Sequence, residues 1–188
     1  MKKSLILLTA LISLFYHAGN AQAAFLIEPY GGTLLSSTMD VTAAADGMYD
    51  ATGTEMGARV GFQNMGLMLG LDYRMISNSV AHQTDPTITD TLTGTQMGLF
   101  VGYDFPIMLR VWYEYIFSKS LTDDDDIVYA GGSGSVIGIG YKIIPFLSLN
   151  LEIGSTATST GTPDGGTESD LDLAFKTYTF SVSFPFSI

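Results

Sequence analysis

The sequence predicts an all-β protein, an eight-stranded antiparallel up-and-down transmembrane β-barrel. Large apolar residues alternate with glycine and polar residues in eight separate segments, and a period of two is typical of strands. The connections between the segments alternate between short and long, as they do in barrels of outer membranes. After the N-terminal segment, no apolar run reaches the roughly 20 residues that a membrane helix needs, so strands are expected to cross the membrane.

The alternation is clearest between residues 67 and 75. One face of this segment carries Leu67, Leu69, Leu71, Tyr73 and Met75. The opposite face carries Met68, Gly70, Asp72 and Arg74. Segments of this kind predict strands at residues 25–36, 56–63, 67–76, 95–103, 108–118, 134–142, 146–156 and 174–188. Pro29 cannot donate to a ladder hydrogen bond, so it predicts a bulge in the first strand.

The N-terminus has the features of a secretory signal peptide. Lys2 and Lys3 precede an apolar stretch, and Ala21-Gln22-Ala23 is a small-residue cleavage site. A membrane anchor is the alternative, but the apolar stretch is too short to span a bilayer. We therefore expect bacterial export and cleavage after Ala23, which leaves residues 24–188 as a single barrel domain.

The charge balance limits the classes of partner. Without residues 1–23 the chain keeps 165 of its 188 residues, and its 6 basic and 19 acidic residues give a formal charge of −13. So acidic a chain argues against nucleic-acid partners, because phosphate binding needs basic patches. The chain has no cysteine, so an exported domain must be held together without disulfides.

The connections predict which end of the barrel faces outwards. Three of them are short turns, at Asn64, at residues 104–107 and at residues 143–145. The other four are interpreted as long loops rich in Thr, Ser, Asp and Gly. In barrels of this layout the long loops face outside the cell.

The predicted outer end is strongly acidic. We count 14 acidic residues in the four long loops when Glu55 is included, with Lys119 and Lys176 as the basic residues at their margins. Such an end repels other anions unless cations intervene. We therefore expect contact with outer-membrane lipid and with lipopolysaccharide, whose phosphates divalent cations would bridge to the loops.

The two faces of the strands are expected to meet different surroundings. The predicted lipid face carries no charge, and a basic residue facing the middle of the bilayer costs about 2–4 kcal/mol. The predicted interior carries four acidic and four basic residues, namely Glu28, Arg59, Asp72, Arg74, Arg110, Glu114, Lys142 and Glu152. Enclosed charges must be paired or solvated. We expect an ion-paired network that plugs the barrel, with Trp112 and Gln96 packed among it; a selectivity filter is the alternative.

Glycines recur at a spacing of four along the predicted strands. The pairs are Gly57 and Gly61, Gly66 and Gly70, Gly98 and Gly102, and Gly134 and Gly138. Positions four apart share one face of a strand, so we expect these glycines to line a narrow interior. A soluble lipocalin-like barrel is the alternative fold, but it would need an apolar interior and a charged exterior.

The end of the chain carries a resemblance to a known class. Apolar residues alternate to the last position at Tyr178, Phe180, Val182, Phe184, Phe186 and Ile188. With the signal peptide and the eight segments, this pattern resembles the small outer-membrane barrels of the OmpA/OmpX-type and OmpW-like superfamily. The resemblance implies a monomer in the bacterial outer membrane, whose last strand is read by the barrel-assembly machinery. Two departures are the final Ile188, where the family usually has Phe, and Pro185 within the last strand.

Candidates for chemistry are few. His82 is the only histidine after Ala23, and it lacks the H-x-S pattern of the lipid A enzymes found among small barrels. The run Asp123-Asp124-Asp125-Asp126 could hold a hard cation. Gly134 stands where an EF-hand would need a bidentate Glu, so these aspartates are weak candidates for a metal site. We expect no catalysis and no cofactor.

These observations favour a structural or surface-interaction protein, a plugged barrel that presents four long acidic extracellular loops. The alternative is a narrow channel for small solutes, including hydrophobic ones, since glycines and parts of the inner face could leave an apolar path.

Overall fold

The computed structural model describes residues 23–42, 47–85, 87, 89–162 and 169–188. These residues form the strands β1 (Ala24–Thr42), β2 (Gly47–Asn64), β3 (Leu67–His82), β4 (Thr89–Asp104), β5 (Leu109–Thr122), β6 (Val128–Ala130), β7 (Ser133–Ile144), β8 (Leu147–Thr162), β9 (Ser169–Ser183) and β10 (Phe186–Ser187). The predicted signal peptide lies outside the described residues, apart from Ala23. Within the described ranges there is no helix long and apolar enough to cross a membrane.

The ten strands close into a ring of eight antiparallel strands. Each long strand pairs with its neighbour in sequence, and β9 pairs with β1 to close the ring. Strands β6 and β7 keep one register against β8, so they form one strand that is interrupted at Gly131, where φ is +70°. Strand β10 continues the register of β9 against β1 after an interruption at Pro185. The predicted eight-stranded up-and-down barrel is confirmed.

The strands are longer than predicted, and the predicted long loops are wrong in extent. Strand β3 continues to His82, six residues beyond the predicted end, and β4 begins at Thr89 rather than at residue 95. The cause is a change of polarity along the wall. Near the short turns, most outward-facing side chains are apolar, whereas towards the other end most outward positions carry Thr or Ser. The alternation continues there, but its hydroxyl-rich outer face resembles a loop in sequence.

We call the half of the barrel nearest the short turns the lower barrel. Its outward-facing side chains form an apolar band. Its large side chains are between about 40% and 60% exposed, as at Leu69 (45%), Leu99 (50%) and Leu151 (51%). The band includes Met56, Val60, Phe62, Leu67, Leu69, Leu71, Met75, Leu99, Val101, Tyr113, Tyr115, Ile137, Ile139, Leu151 and Ile153. An exposed apolar surface of this extent indicates an apolar environment or partner.

Two apolar clusters lie inside the barrel. Leu26, Met68 and Phe100 are buried together towards the short turns. At the far end, beyond the apolar band, a larger group is buried: Met39, Ala51, Val80, Leu92, Leu121, Leu173 and Phe175. We call this group the outer-end cluster. The strands that continue beyond the apolar band therefore enclose an apolar core of their own. The prediction of long loops at this end did not include such a core.

Two local predictions from proline and glycine are corrected by the structure. The register of β1 shifts between Thr33 and Thr38 rather than at Pro29, so the predicted bulge at Pro29 is misplaced. Pro29 instead accepts a hydrogen bond from the backbone N–H of Phe184 at the closing seam. Gly66 lies in the β2–β3 turn with φ +89°, a conformation that glycine adopts at little cost, and not in a strand facing the interior.

Candidate functional site

The interior of the barrel is built around three buried arginines. Arg59 on β2, Arg74 on β3 and Arg110 on β5 are 1%, 4% and 1% exposed. Each belongs to the inward-facing set of its strand, because successive side chains alternate between the two faces. A guanidinium retains its charge and offers five N–H donors, so each arginine needs several acceptors within the barrel.

Arg110 finds its acceptor on the opposite side of the ring. Its Nη1 and Nη2 donate to Oε1 and Oε2 of Glu28, both at 2.7 Å. Glu28 lies on β1 and Arg110 on β5, and four strand steps separate these strands in either direction around the ring. Both side chains are essentially inaccessible. The bidentate pair therefore joins two strands that share no ladder hydrogen bond.

Arg59 links three carboxylates from three strands. Its Nε donates to Oδ2 of Asp72 at 3.0 Å, and its Nη1 donates to Oε1 of Glu28 at 3.3 Å. Its Nη2 donates to Oε1 of Glu152 on β8 at 2.7 Å. Thus Glu28 is shared between Arg59 and Arg110, and a single network runs from β1 to β8.

Two aromatic rings lie close to the Arg59 guanidinium. Its Cζ lies 4.6 Å from the ring centre of Tyr30 and 4.4 Å from that of Trp112. The Tyr30 hydroxyl donates to Asp72 Oδ1 at 2.6 Å and accepts from Arg74 Nε at 3.0 Å. These contacts combine cation–π attraction with hydrogen bonds, and together they restrict the position of the guanidinium.

Arg74 joins another pair of opposite strands. Its Nη2 donates to Oε2 of Glu152 on β8 at 2.8 Å, and a longer contact of 3.4 Å reaches Oε2 of Glu114 on β5. Its Nη1 donates to Glu55 Oε1 at 2.9 Å. Gln96 approaches the other oxygen of Glu114 at 3.5 Å. Glu55 was counted with the acidic loops, yet it is buried and belongs to the interior, because β2 extends through it.

Not every expected interior charge lies in this network. Lys142 pairs with Asp104 near the short turns, and its side chain is 17% exposed. We define the arginine cluster as Glu28, Glu55, Arg59, Asp72, Arg74, Arg110, Glu114 and Glu152. It contains five carboxylates and three guanidiniums, so the balance of four and four expected from the sequence does not describe this group.

Glycines make room for the largest interior side chains. A Cβ placed on Gly138 of β7 would lie 2.1 Å from Cε2 of Trp112 on the neighbouring β5. At Gly98 it would lie 2.4 Å from Glu114 Oε1. Both distances are far below van der Waals contact. These interior glycines therefore position the indole and the carboxylate that contact the arginines.

Lys119 reaches the interior because of a bulge that the sequence did not reveal. In the β4–β5 ladder, Met97 pairs with Ser118 and the next position pairs with Ile116, so Phe117 is an extra residue. The insertion reverses the inward and outward positions of β5 beyond it. Lys119 is 6% exposed, and its Nζ donates to Thr156 Oγ1 at 2.8 Å and lies 4.0 Å from the ring centre of Phe175.

The aspartate run forms a hydrogen-bonded turn. Asp123 Oδ1 accepts from the backbone N–H groups of Asp125 and Ile127, and Oδ2 accepts from the Tyr129 hydroxyl at 2.7 Å. Burial and this hydrogen bond raise the pKa of Tyr129 well above its usual value. Asp124 and Asp126 are exposed. In the part of the chain that the structure describes, no group of three or more acidic, His or Cys side chains is arranged to hold a metal ion.

His82 lies at the end of β3 and organises the connection to β4. Its Nδ1 accepts hydrogen bonds from the backbone N–H groups of Thr84 and Asp85, both at 3.2 Å. Its ring packs edge-on against Tyr49, with ring centres 5.0 Å apart. The Nδ1 atom of His82 therefore already serves as the acceptor for two backbone N–H groups.

Comparisons with known proteins identify the fold. No family model matches the chain, and no curated protein sequence matches it. Among solved structures, Neisserial surface protein A is similar over 88% of this chain and 99% of its own, with a TM-score of 0.53 and 12% identity. OprG of Pseudomonas aeruginosa covers 91% and 99% with a TM-score of 0.49 and 10% identity. Ail of Yersinia pestis covers 87% and 99%, with a TM-score of 0.48 and 7% identity. Together with the closed ring of eight strands, the likeness to Neisserial surface protein A shows that this chain has the fold of the small outer-membrane β-barrels.

Proposed function

We propose that this protein is an integral barrel of the bacterial outer membrane with a structural or surface-interaction role, and that the arginine cluster closes its interior. One observation carries the closure. Arg110–Glu28 joins β1 to β5, and Arg74–Glu152 joins β3 to β8, so two ion pairs span the ring along two different diameters.

The chemistry of these pairs supports a closed interior over a water-filled pore. An eight-stranded barrel is just wide enough for its side chains to fill. A buried charge is tolerated when it is paired and hydrogen-bonded, and each guanidinium of the arginine cluster has at least two such contacts. A solute would have to separate them to pass.

The outer-membrane location rests on the apolar band and on the N-terminal sequence. The band exposes leucine, isoleucine, phenylalanine and tyrosine over the lower barrel, which suits lipid as the surrounding medium. Cleavage after Ala23 would release residues 24–188 as the mature domain. Its last strand would present the terminal apolar pattern to the barrel-assembly machinery, and we propose a monomer without a nucleic-acid partner.

The outer end is proposed as the interacting part of the molecule. Because the strands continue past the apolar band, this end is an extended barrel with its own apolar core rather than four long loops. Exposed acids such as Asp40, Asp50 and Asp124 lie on it. We propose that divalent cations bridge such carboxylates to lipopolysaccharide phosphates. An unchanged thermal stability in lipopolysaccharide after EDTA treatment would contradict this bridging.

A non-enzymatic role is part of the proposal. The nitrogen Nδ1 of His82 already accepts two backbone hydrogen bonds, which supports a structural role for this histidine. If activity on lipid A were found and disappeared in His82→Ala, this part of the proposal would be wrong.

Conductance across a planar bilayer tests the closed interior. We expect the purified barrel to give no stable single-channel steps. Arg110→Ala and Glu28→Ala should introduce openings, since each removes one end of a pair across the ring, whereas Lys142→Ala should not. Stable steps in the unmodified protein that change in size with Arg110→Ala would instead favour the narrow channel.

A further inference from the structure

The buried charges of the interior leave one carboxylate without a matching cation. The arginine cluster has five carboxylates and three guanidiniums, and Lys119 supplies a fourth buried cation. The two remaining basic residues of the barrel do not alter this balance, because Lys142 pairs with Asp104 and Lys176 is exposed. Asp123 is also buried, but it belongs to its own turn at the outer end. The interior would therefore carry a net negative charge if all five acids were ionised.

Hydrogen-bond distances distinguish Glu114 from the other carboxylates of the arginine cluster. The other four each accept a hydrogen bond from a guanidinium at 3.0 Å or less, namely Glu28, Glu55, Asp72 and Glu152. The donors to Glu114 are Arg74 Nη2 at 3.4 Å and Gln96 Nε2 at 3.5 Å, although this side chain is fully buried. A buried carboxylate without close donors is costly, and a carboxylic acid avoids most of that cost because it is uncharged.

The surroundings of Glu114 offer it no net positive charge. The charged groups that act on it come from β3, β2 and β8, and they are Arg74, Asp72, Arg59 and Glu152. Two of these groups are basic and two are acidic, so their charges balance. The neighbouring positions on β4 and β7 are the uncharged Gln96 and Val136. An ionised Glu114 would therefore be the unbalanced charge of this group.

Gln96 provides a partner for a protonated Glu114. An amide can turn over so that its oxygen and its nitrogen exchange places. With its oxygen towards β5, Gln96 accepts a hydrogen bond from the Glu114 O–H, while Arg74 Nη2 still faces the other carboxyl oxygen. Gln96 is itself buried, so bulk water does not compete for this contact.

We propose that Glu114 is a proton-binding site and is the uncharged member of the arginine cluster at neutral pH. The proton is taken up from water as the barrel closes, and the four remaining carboxylates then balance the three guanidiniums and Lys119. Release of this proton in alkali adds an unpaired charge beside Asp72 and Glu152, which weakens the contacts across the ring. The inference rests on the closed interior proposed above, and it makes that closure dependent on pH.

Infrared spectroscopy of the folded barrel in lipid vesicles tests whether a proton is held. A protonated carboxyl group has a C=O stretching band that an ionised carboxylate lacks. We expect this band at neutral pH in the unmodified protein and in Asp124→Asn, which replaces an exposed acid, and we expect its loss in Glu114→Gln. Absence of the band in the unmodified protein, or its persistence in Glu114→Gln, would overturn the proposal.

Urea unfolding at neutral pH identifies the residue that holds the proton. Glutamine has nearly the shape of a protonated glutamate and the same charge, so Glu114→Gln should unfold at the same urea concentration as the unmodified protein. Glu55→Gln is the matched control, because it removes an ionised acceptor that lies 2.9 Å from Arg74 Nη1, and it should unfold at a clearly lower concentration. The reverse order, or a Glu114→Gln chain that does not fold, would overturn the assignment to Glu114.

Conductance across a planar bilayer at rising pH tests the effect on closure. We expect openings of the unmodified barrel to become more frequent in alkali, and Glu114→Gln to remove this dependence. The same pH dependence in both proteins would contradict control by Glu114. Stable steps in the unmodified protein at neutral pH would instead contradict the closed interior, whereas the infrared band and the order of unfolding test the bound proton without reference to conductance.

Discussion

Glu28 and Arg110 are joined by two parallel hydrogen bonds of 2.7 Å between opposite strands of the ring. Glu28 also accepts from Arg59 at 3.3 Å, so one carboxylate connects two guanidiniums. Because β1 and β5 lie on opposite sides of the ring, this pair forms only when all eight strands have closed into the barrel. Its loss should therefore affect both the stability of the barrel and the proposed closure of its interior.

Removal of either partner should destabilise the barrel strongly. We expect Arg110→Ala to lower the free energy of unfolding by about 3–5 kcal/mol, because a buried carboxylate is left with poorer compensation. Arg110→Lys should recover only part of the loss, since an ammonium cannot make the two parallel bonds. Urea unfolding in lipid vesicles measures both. Lys142→Ala is the control, and its effect should be smaller, because the Lys142 side chain is 17% exposed near the short turns and does not join opposite strands of the ring.

A side chain at Gly138 should impair assembly. In Gly138→Ala the new methyl carbon would lie 2.1 Å from the indole of Trp112, and overpacking of an interior costs about 1–3 kcal/mol or more. The variant should unfold at a lower temperature in a gel-shift assay of heat modification. Gly31→Ala is the matched control, because its methyl carbon would meet only a backbone oxygen of Glu55 at 4.0 Å. Equal behaviour of the two variants would contradict the tight packing around the indole.

The outer-end cluster should behave as a packed core. Leu121 is 1% exposed within it, so Leu121→Ala should cost about 2–5 kcal/mol through lost burial and a cavity. Leu99→Ala, at a half-exposed position of the apolar band, removes the same atoms without leaving an enclosed cavity and should cost less. Unfolding of both variants under the same conditions compares them. A smaller effect at Leu121 would favour the loop interpretation of this end.

The turn at Asp123 should be sensitive to alkaline pH. The pKa of Tyr129 is raised by burial and by its hydrogen bond to Asp123. The stability that this phenol contributes is fully present below its ordinary pKa of 10.0 and is lost as the pH rises towards the higher folded value. The protection factor of the Ile127 amide, which is corrected for the faster intrinsic exchange at high pH, should therefore fall above pH 10, and Tyr129→Phe should remove that fall. Asp123→Ala should accelerate exchange at any pH, whereas Asp124→Ala should have little effect.

The alternation of residue types was enough to predict which side chains face inwards in the lower barrel. From Leu67 to Met75 the leucines are exposed and Asp72 and Arg74 are buried, as expected. The rule failed where the backbone departs from regular pairing. Lys119 was assigned to a loop margin, because the extra residue Phe117 has no signature in composition or spacing.

The extent of the strands was harder to predict for a different reason. Beyond the apolar band the outer wall is hydroxyl-rich and the interior is apolar, as at Val80 and Leu92. Segments of this kind contain many Thr, Ser and Asp residues, which sequence analysis associates with loops. Glu55 was misassigned for the same cause, since it lies on the inner face of a strand that continues past the predicted boundary.

By itself, the sequence determined the number of strands, the two faces of the lower barrel and most residues of the arginine cluster. Those features follow from local alternation, which each strand carries within itself. Only the tertiary structure decided which charges meet. Closure and stagger of the ring bring Glu28 to Arg110 and Glu152 to Arg74 across 82 and 78 residues of sequence, and they leave Lys142 with Asp104. Pairing across a barrel depends on the register of every ladder between the strands, so no single segment contains that information.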